Sequence, residues 1–155
     1  MSVVLTRLSR ADTPWLHAVV APYFAELVPG FGPLEHDRFD IWWNDADRAV
    51  YAIEADQSRA GFALIRKCDD DHHEISEFCV LPNARSRGIG AQAAVLCLAL
   101  HSGPWRIGVA ATLTGTARFW DRVLTTAPGI NGLEKGPALT PYQCHSYTFT
   151  YRDIQ

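Results

Sequence analysis

The chain has 155 residues, of which 48% are hydrophobic and 20% charged, and its formal net charge is -3 with the basic residues scattered. These values predict one soluble domain over residues 1–155 and argue against a nucleic-acid binder, which needs clustered positive charge. The longest uncharged run, residues 88–102, is too short for the roughly 20 apolar residues of a membrane span.

The amino-terminal segment predicts a strand followed by a helix. Residues 3–8 are rich in apolar side chains and form the strand. The helix begins at Asp12, a capping residue that precedes Pro14, and its apolar residues keep helical spacing up to Leu27. Pro22 lacks the amide donor, so it should kink or split this helix.

A short second helix is indicated by three aromatic residues. Phe39, Trp42 and Trp43 stand at positions i, i+3 and i+4. The two tryptophans either fill the core or line part of a ligand pocket, since aromatic side chains bury a large area in both settings.

The middle of the chain predicts three strands. Residues 49–54 and 60–66 form a hairpin through the turn 56–58, and a third strand covers 74–81. The turn before that strand, residues 69–73, is rich in Asp and His. It has no regular ligand spacing, so we expect solvated side chains and no metal site.

The carboxy-terminal half alternates helices and strands. Residues 88–100 contain no charge and form a helix that is apolar on nearly all sides, which must be well buried. A strand over 105–111, a helix over 116–124 and a strand over 147–151 follow. The order β-α-α-β-β-β-α-β-α-β predicts an α/β or α+β fold with a single mixed sheet.

The four cysteines, Cys68, Cys79, Cys97 and Cys144, form no C-x-x-C pair, and three lie in apolar sequence. Cysteine in such surroundings behaves as a small hydrophobic residue. The amino terminus also lacks the long apolar core of a signal peptide. We therefore expect reduced, buried thiols in a cytoplasmic protein.

The clearest functional pattern is a glycine-containing loop between an apolar strand ending at Pro82 and the buried helix. Gly88 and Gly90 remove side chains where a helix begins, and Arg85 and Arg87 add positive charge. A helix amino terminus leaves backbone N–H groups unpaired and favours phosphate. The loop fits neither a Walker loop nor a dinucleotide fingerprint. It is either an anion site or a tight strand-to-helix turn.

The run over residues 80–90, VLPNARSRGIG, resembles the V-x-P-x-x-R-x-x-G-x-G cofactor motif of the GNAT superfamily of acetyl-CoA-dependent N-acetyltransferases. The A-G-F-A strand at 60–63 and the pair Phe119 and Trp120 are also similar to members of that family. The resemblance covers about residues 3–124. Beyond them only the strand content fits.

The resemblance implies a mixed, mostly antiparallel sheet of six to seven strands, flanked by about four helices. The strands over 74–81 and 105–111 would be parallel and splayed, and acetyl-CoA would enter between them. Its pantetheine arm would pair with the first strand like an added strand. The implied cofactor-binding residues are Phe78, Cys79, Val80, Arg85, Ser86, Arg87, Gly88, Ile89, Gly90 and Ala91.

Acylation of an amine needs a base to remove a proton and donors to stabilise an oxyanion. Glu77 is the candidate base because a charge inside the apolar run I-S-E-F-C-V is costly unless it is used or paired. Alternatively, Glu77 binds only water or a cationic substrate. By resemblance, the backbone N–H of Val80 is the oxyanion donor.

The general acid of the family has no counterpart. The usual Asn falls on Leu113 or Thr114, and the usual Tyr falls on Trp120 or Asp121. Possible replacements are Tyr142, Cys144 and Tyr147.

The first two helices would wall the pocket of the amine acceptor. The candidates for its lining are Tyr23, Glu26, Trp42, Trp43 and Tyr51. Their acidic and aromatic character suits a cationic amine. The acceptor would be a small-molecule or peptide amine.

Two other functions remain open on the sequence. The chain is either an acetyltransferase, a non-catalytic acyl-CoA-binding module that kept the loop, or an interaction domain. An edge strand near the carboxy terminus allows a homodimer.

Overall fold

The computed structural model describes residues 1–111 and 115–153, which form a seven-stranded sheet with helices on both faces. The strands are β1 (Val3–Arg7), β2 (Arg48–Ala55), β3 (Ser58–Lys67), β4 (His73–Val80), β5 (Gly103–Ala110), β6 (Ile130–Gly136) and β7 (Gln143–Tyr151). The α-helices are α1 (Thr13–Leu27), α2 (Asp40–Asn44), α3 (Ile89–Leu98) and α4 (Thr116–Thr126). Short 3-10 turns cover Arg10–Asp12, His36–Phe39 and Pro82–Ala84.

The strand order is β1-β2-β3-β4-β5-β7-β6. Neighbouring strands are antiparallel except for β4 and β5, which are parallel. A helical crossover through α3 joins these two strands, as a parallel pair requires. The prediction of a mostly antiparallel sheet with a parallel central pair is confirmed.

The helices divide the core into two layers. On one face, which we call the α1/α2 face, Leu16 packs with Phe62 of β3. On the other, the α3/α4 face, Leu98 and Trp120 pack with Trp105 of β5. All five of these side chains are buried. The sheet is therefore covered by helices on both sides.

Two local predictions are wrong. Of the kink or split expected at Pro22, the split does not occur, because helix α1 continues through this residue. Pro22 and Ala18 are both exposed, so water can bond to the Ala18 carbonyl that loses its amide partner. Strand β6 has no counterpart in the predicted order. Its residues include Gly132, Gly136 and two charged side chains, so it lacks apolar alternation, and pairing with β7 at the sheet edge maintains it.

The cysteines are all free, but their environments differ. Cys79 and Cys97 are buried, and burial raises the pKa of Cys97 to about 12. Cys68 is half-buried at the turn after β3, and Cys144 is exposed. The expectation of buried thiols is therefore wrong for those two residues, which lie outside the packed layers.

No helix in residues 1–111 and 115–153 is long and apolar enough to cross a membrane. In the same residues no group of three or more His, Cys, Asp or Glu side chains could hold a metal ion. In the acidic turn, Asp70 instead accepts hydrogen bonds from Arg106 at 3.1 Å and from the His72 backbone at 3.3 Å.

Candidate functional site

The centre of the sheet opens into a gap between β4 and β5. The two strands pair only from His73 opposite Trp105 to Ile75 opposite Ile107. Both strands continue beyond that point, β4 to Val80 and β5 to Ala110. Two strand edges therefore leave backbone groups open to a ligand in the middle of the molecule.

The closed end of this gap is held by a buried carboxylate. Glu74 is 9% exposed and accepts hydrogen bonds from Arg66 of β3 at 2.9 Å and Arg106 of β5 at 3.1 Å. Ser76 donates to the same carboxylate at 3.0 Å. Despite burial, these donors lower the pKa of Glu74, so it is charged near neutrality. One side chain thus links three strands beside the point where two of them separate.

A bulge in β4 sets the direction of Glu77. Leu64 pairs with Glu77 while its neighbour Ile65 pairs with Ile75, so Ser76 is an extra residue. Ile75 packs on the α3/α4 face, and simple alternation would send Glu77 the same way. The bulge instead turns Glu77 to the side of Leu64, which packs on the α1/α2 face.

The edge of β4 beyond the bulge offers backbone groups to the gap. Leu81 donates its N–H to the carbonyl of Ala60 at 2.8 Å. In an antiparallel ladder this places the N–H and C=O groups of Val80 and Phe78 on the side away from β3. The Val80 carbonyl accepts the Nε hydrogen of Arg85 at 2.8 Å. Among the described residues β5 pairs with β4 only up to Ile75, so the Val80 N–H, which points away from β3, is available to a ligand.

Glu77 is coupled to Tyr23 of α1. The Tyr23 hydroxyl donates to Oε2 of Glu77 at 2.5 Å, and the Tyr23 ring packs edge-on against Phe62 at 5.3 Å. Burial raises the pKa of Glu77 to about 7, helped by the charge of Glu74 and opposed by the Tyr23 hydrogen bond. Burial and Glu77 raise the pKa of Tyr23 well above its usual value, so it stays a proton donor in this bond. A carboxyl group poised near neutrality suits general base catalysis.

The loop after β4 presents unpaired amides. Ser86 and Gly88 adopt left-handed conformations, with φ of 64° and 77°, just before α3 begins at Ile89. In the described parts of the chain, the N–H groups of residues 86–91 donate to no protein acceptor. Consecutive amides in such a turn, at the positive end of a helix, form an anion-binding concavity.

The two glycines of the loop have different roles in the structure. A Cβ at Gly88 would have open space, the nearest atom being 4.0 Å away. A Cβ at Gly90 would lie 3.1 Å from the ring of Phe119 and 3.4 Å from Val80. Gly90 is therefore needed for packing of α3 against α4, and Gly88 for its positive φ.

The two arginines of the loop extend in opposite directions. Arg85 folds back along β4, where its Nη2 also lies 4.0 Å from the Cys79 sulfur. Arg87 is exposed and reaches the β2–β3 turn, 3.9 Å from Asp56. Arg87 thus remains at the surface of the anion loop, whereas Arg85 supports the strand edge.

The five expected acceptor residues do not form one pocket. Tyr23 contacts Glu77. Glu26 lies one turn later on α1 and is exposed, and its negative charge adds to burial in raising the pKa of Cys79. Tyr51 is wrongly placed by the sequence prediction, because it packs on the α3/α4 face, opposite to Tyr23.

The two tryptophans serve the core. Trp42 and Trp43 pack with Val50 of β2, and the guanidinium of Arg48 lies 4.9 Å from the Trp42 ring centre. They border a cleft of about 240 Å³ over β1 and β2, two strands away from Glu77. They thus pack against the core and also border a cleft separate from Glu77, and their role in acceptor binding stays a prediction.

Within residues 1–111 and 115–153, no contact brings the general-acid candidates to Glu77. Trp120 is buried against Phe78, and Asp121 accepts a hydrogen bond from Tyr147 at 3.2 Å on the α3/α4 face. Tyr142 and Cys144 are exposed near the start of β7. Leu113 and Thr114, the positions of the usual Asn, lie outside the described residues.

Comparisons with known proteins identify a family. A family model described as the acetyltransferase (GNAT) family matches residues 15–103, more than half of the chain. A comparison with curated protein sequences finds no match.

Solved structures share the fold at low sequence identity. An acetyltransferase from Thermus thermophilus has a TM-score of 0.73 and 17% identity, with 97% of each chain covered. A spermidine N-acetyltransferase from Vibrio cholerae, in complex with CoA and spermine, has a TM-score of 0.64 and 13% identity over 97% of this chain and 94% of that one. The ribosomal-protein-S18-alanine N-acetyltransferase from Escherichia coli has a TM-score of 0.60 and 13% identity, with 99% of this chain and 97% of that chain covered.

Proposed function

Because the chain belongs to the acetyltransferase (GNAT) family of acyl-CoA-dependent N-acyltransferases, we propose that it transfers an acetyl group from acetyl-CoA to a primary amine of a small molecule or peptide. The amine attacks directly in a ternary complex, with Glu77 as the general base. The observation that carries this proposal is the pair formed by Glu77 and Tyr23, which lies where β4 and β5 separate.

The described residues fit acetyl-CoA. The unpaired amides of residues 86–91 suit a diphosphate, and the open edge of β4 suits the amide-containing pantetheine arm. The residues proposed to hold the cofactor are Phe78, Cys79, Val80, Arg85, Ser86, Arg87, Gly88, Ile89, Gly90 and Ala91. When bound, acetyl-CoA supplies the thioester carbonyl and the leaving thiol.

The protein supplies proton transfer and charge stabilisation. A primary amine is mostly protonated at neutral pH, so a base must take a proton before attack. With a pKa of about 7, Glu77 is about half deprotonated at neutral pH and accepts that proton. Tyr23 occupies Oε2, which leaves Oε1 for the amine or a bridging water. The N–H of Val80 would donate a hydrogen bond to the thioester carbonyl oxygen, where negative charge develops as the amine adds. The C–N bond would form as the C–S bond breaks, and the second proton of the amine nitrogen would neutralise the departing thiolate.

The acceptor approaches on the α1/α2 face. Glu77, Tyr23 and Glu26 give this side acidic and aromatic character, which favours a cationic amine. Among the similar proteins, one is named for spermidine and another for the alanine of a ribosomal protein, which supports both small-molecule and peptide amines as candidates.

Activity of a Glu77→Gln variant tests the proposal against a non-catalytic acyl-CoA-binding module. Thiol release from acetyl-CoA is measured with a panel of amines, and coenzyme A affinity is measured by calorimetry. We expect Glu77→Gln to lose about 100-fold or more in kcat, as for loss of a general base, with unchanged coenzyme A affinity. An unchanged rate would exclude Glu77 as the base. Tight coenzyme A binding without turnover of any amine by the wild type would support the module.

A further inference from the structure

The gap has a second wall, formed by β5 and the beginning of β7. Ile107 and Val109 of β5 are buried on the α3/α4 face, so Gly108 between them faces the α1/α2 side. Ile107 is the last residue of β5 that pairs with β4. Gly108 therefore lies at the start of the gap, on the same face of the sheet as Glu77.

The side-chain amide of Gln143 lies on Gly108. A Cβ at position 108 would overlap all three terminal atoms of the Gln143 amide, so this contact requires glycine. The backbone N–H of Leu139 donates to Oε1 of Gln143 at 2.9 Å, and this bond defines which end of the amide is oxygen. Gln143 is half-buried, and its Nε2 has no acceptor among residues 1–111 and 115–153.

The segment that carries Gln143 is held in place by two further bonds. Ser146 donates its hydroxyl hydrogen to the carbonyl of Pro137 at 2.7 Å. Ala111 donates its N–H to the carbonyl of Tyr142 at 2.9 Å. The Gln143 amide is thus a fixed neutral donor on one wall of the gap, while Glu77 is a carboxyl group on the other.

We propose that Gln143 recognises the acceptor, by donating from Nε2 to a carbonyl or carboxylate oxygen adjacent to the reacting amine. The preferred acceptor is then an α-amino compound, such as an amino acid derivative or a peptide amino terminus. This inference rests on the proposed function. A polyamine offers no oxygen to this donor, so binding it would leave the amide unpaired in a partly desolvated gap.

Gln143 also holds the segment before β7, and a conservative variant separates the two roles. Glu at position 143 has nearly the same shape, and one of its oxygens still accepts the N–H of Leu139. The donor is replaced by a negatively charged oxygen. Gly108→Ala is the second variant, because a Cβ there displaces the amide without changing Gln143.

The probes are alanine amide, isopropylamine and spermidine, and the measurement is kcat/KM for each with acetyl-CoA. Alanine amide and isopropylamine share a skeleton and differ by the carboxamide. We expect the ratio of kcat/KM for alanine amide to kcat/KM for isopropylamine to fall about tenfold in Gln143→Glu relative to the wild type, which is the upper end of the effect of losing one hydrogen bond. Comparing ratios cancels the intrinsic reactivities of the amines. For spermidine, kcat/KM of this variant should equal or exceed that of the wild type.

Gly108→Ala should reduce the same ratio, and coenzyme A affinity should be unchanged in both variants. An unchanged ratio in Gln143→Glu, or an equal loss for all three probes, would overturn the inference. Absence of turnover by the wild type with every probe would count against the proposed function alone. The preference is then read from NMR titration of alanine amide and isopropylamine into the protein–coenzyme A complex. If the ratio of the two affinities, alanine amide to isopropylamine, is the same in the wild type and in Gln143→Glu, the inference is again overturned.

Discussion

Replacing Tyr23 by phenylalanine isolates the hydrogen bond that controls the proposed base. The change removes the hydroxyl that donates to Oε2 of Glu77 at 2.5 Å and keeps the ring that packs against Phe62. Burial raises the pKa of Glu77 to about 7, and this hydrogen bond opposes the rise. Loss of the hydroxyl should therefore raise the pKa of Glu77 further.

The size of the shift follows from the strength of the bond. A hydrogen bond to a charged group contributes about 1.5–3 kcal/mol, and about 1.4 kcal/mol corresponds to one pKa unit. Water will replace part of the lost bond, so we expect an upward shift of about one unit. At pH 7 the deprotonated fraction of Glu77 would fall from about one half to about one tenth.

The assay is the pH dependence of kcat/KM, followed by thiol release from roughly pH 5 to pH 9.5. The acid limb of Tyr23→Phe should move up by about one unit, with the high-pH plateau retained within a few-fold. Tyr147→Phe is the matched control, since it removes a tyrosine–aspartate hydrogen bond of 3.2 Å on the other face of the sheet. A Tyr23→Phe profile that superimposes on the wild type would refute the coupling.

Three further predictions concern stability and cofactor binding. Glu77→Gln should raise the melting temperature at pH 8 and change it little at pH 4. The pKa of Glu77 is about 7 in the folded protein and 4.5 for an ordinary glutamate, so the stability of the wild type falls as pH rises from 4.5 to 7. Glutamine stays neutral and avoids this loss. Gly88→Ala should weaken coenzyme A binding about tenfold by calorimetry, since left-handed backbone costs roughly 1–2 kcal/mol without glycine. Gly132→Ala, whose φ is also positive at 64°, should leave affinity unchanged, and equal losses would contradict the role of the loop. Glu74→Gln should lower the urea unfolding free energy by about 2 kcal/mol, because the half-buried arginines Arg66 and Arg106 lose the charged acceptor of their hydrogen bonds. Asp40→Asn, which breaks an exposed ion pair with a 2.8 Å separation, should cost less than about 1 kcal/mol, and similar losses in the two variants would argue against a special role for Glu74.

The sequence was sufficient for features that depend on neighbouring residues. The anion loop is contiguous, so its glycines and the start of α3 could be read directly from residues 85–91. Glu77 stands out because it interrupts an apolar strand, and its raised pKa agrees with that interpretation. Most strands and helices were predicted for the same reason, since periodicity is a local property.

Features that depend on distant contacts could not be predicted. Tyr23 and Glu77 are 54 residues apart, and only the packing of α1 on the sheet brings them together. The side of the sheet on which Tyr51 and Gly108 lie depends on which helices pack over each strand. This packing cannot be predicted from the local sequence. The requirement for Gly90 comes from Phe119 on another helix and is independent of any phosphate.

The single unmatched residue in β4 has a consequence for how variation in strand length acts on this fold. Regular pairing of β4 with Ser76 retained would exchange the layers reached by every later side chain of the strand. Glu77 would then point among the hydrophobic residues around Trp120, whereas Phe78 would be moved towards α1. Deleting Ser76 should have no such effect, because Glu77 would follow Ile75 directly and strict alternation would keep its side chain on the α1/α2 face. Loss of this serine should therefore cost the hydrogen bond to Glu74 but leave the direction of the proposed base unchanged.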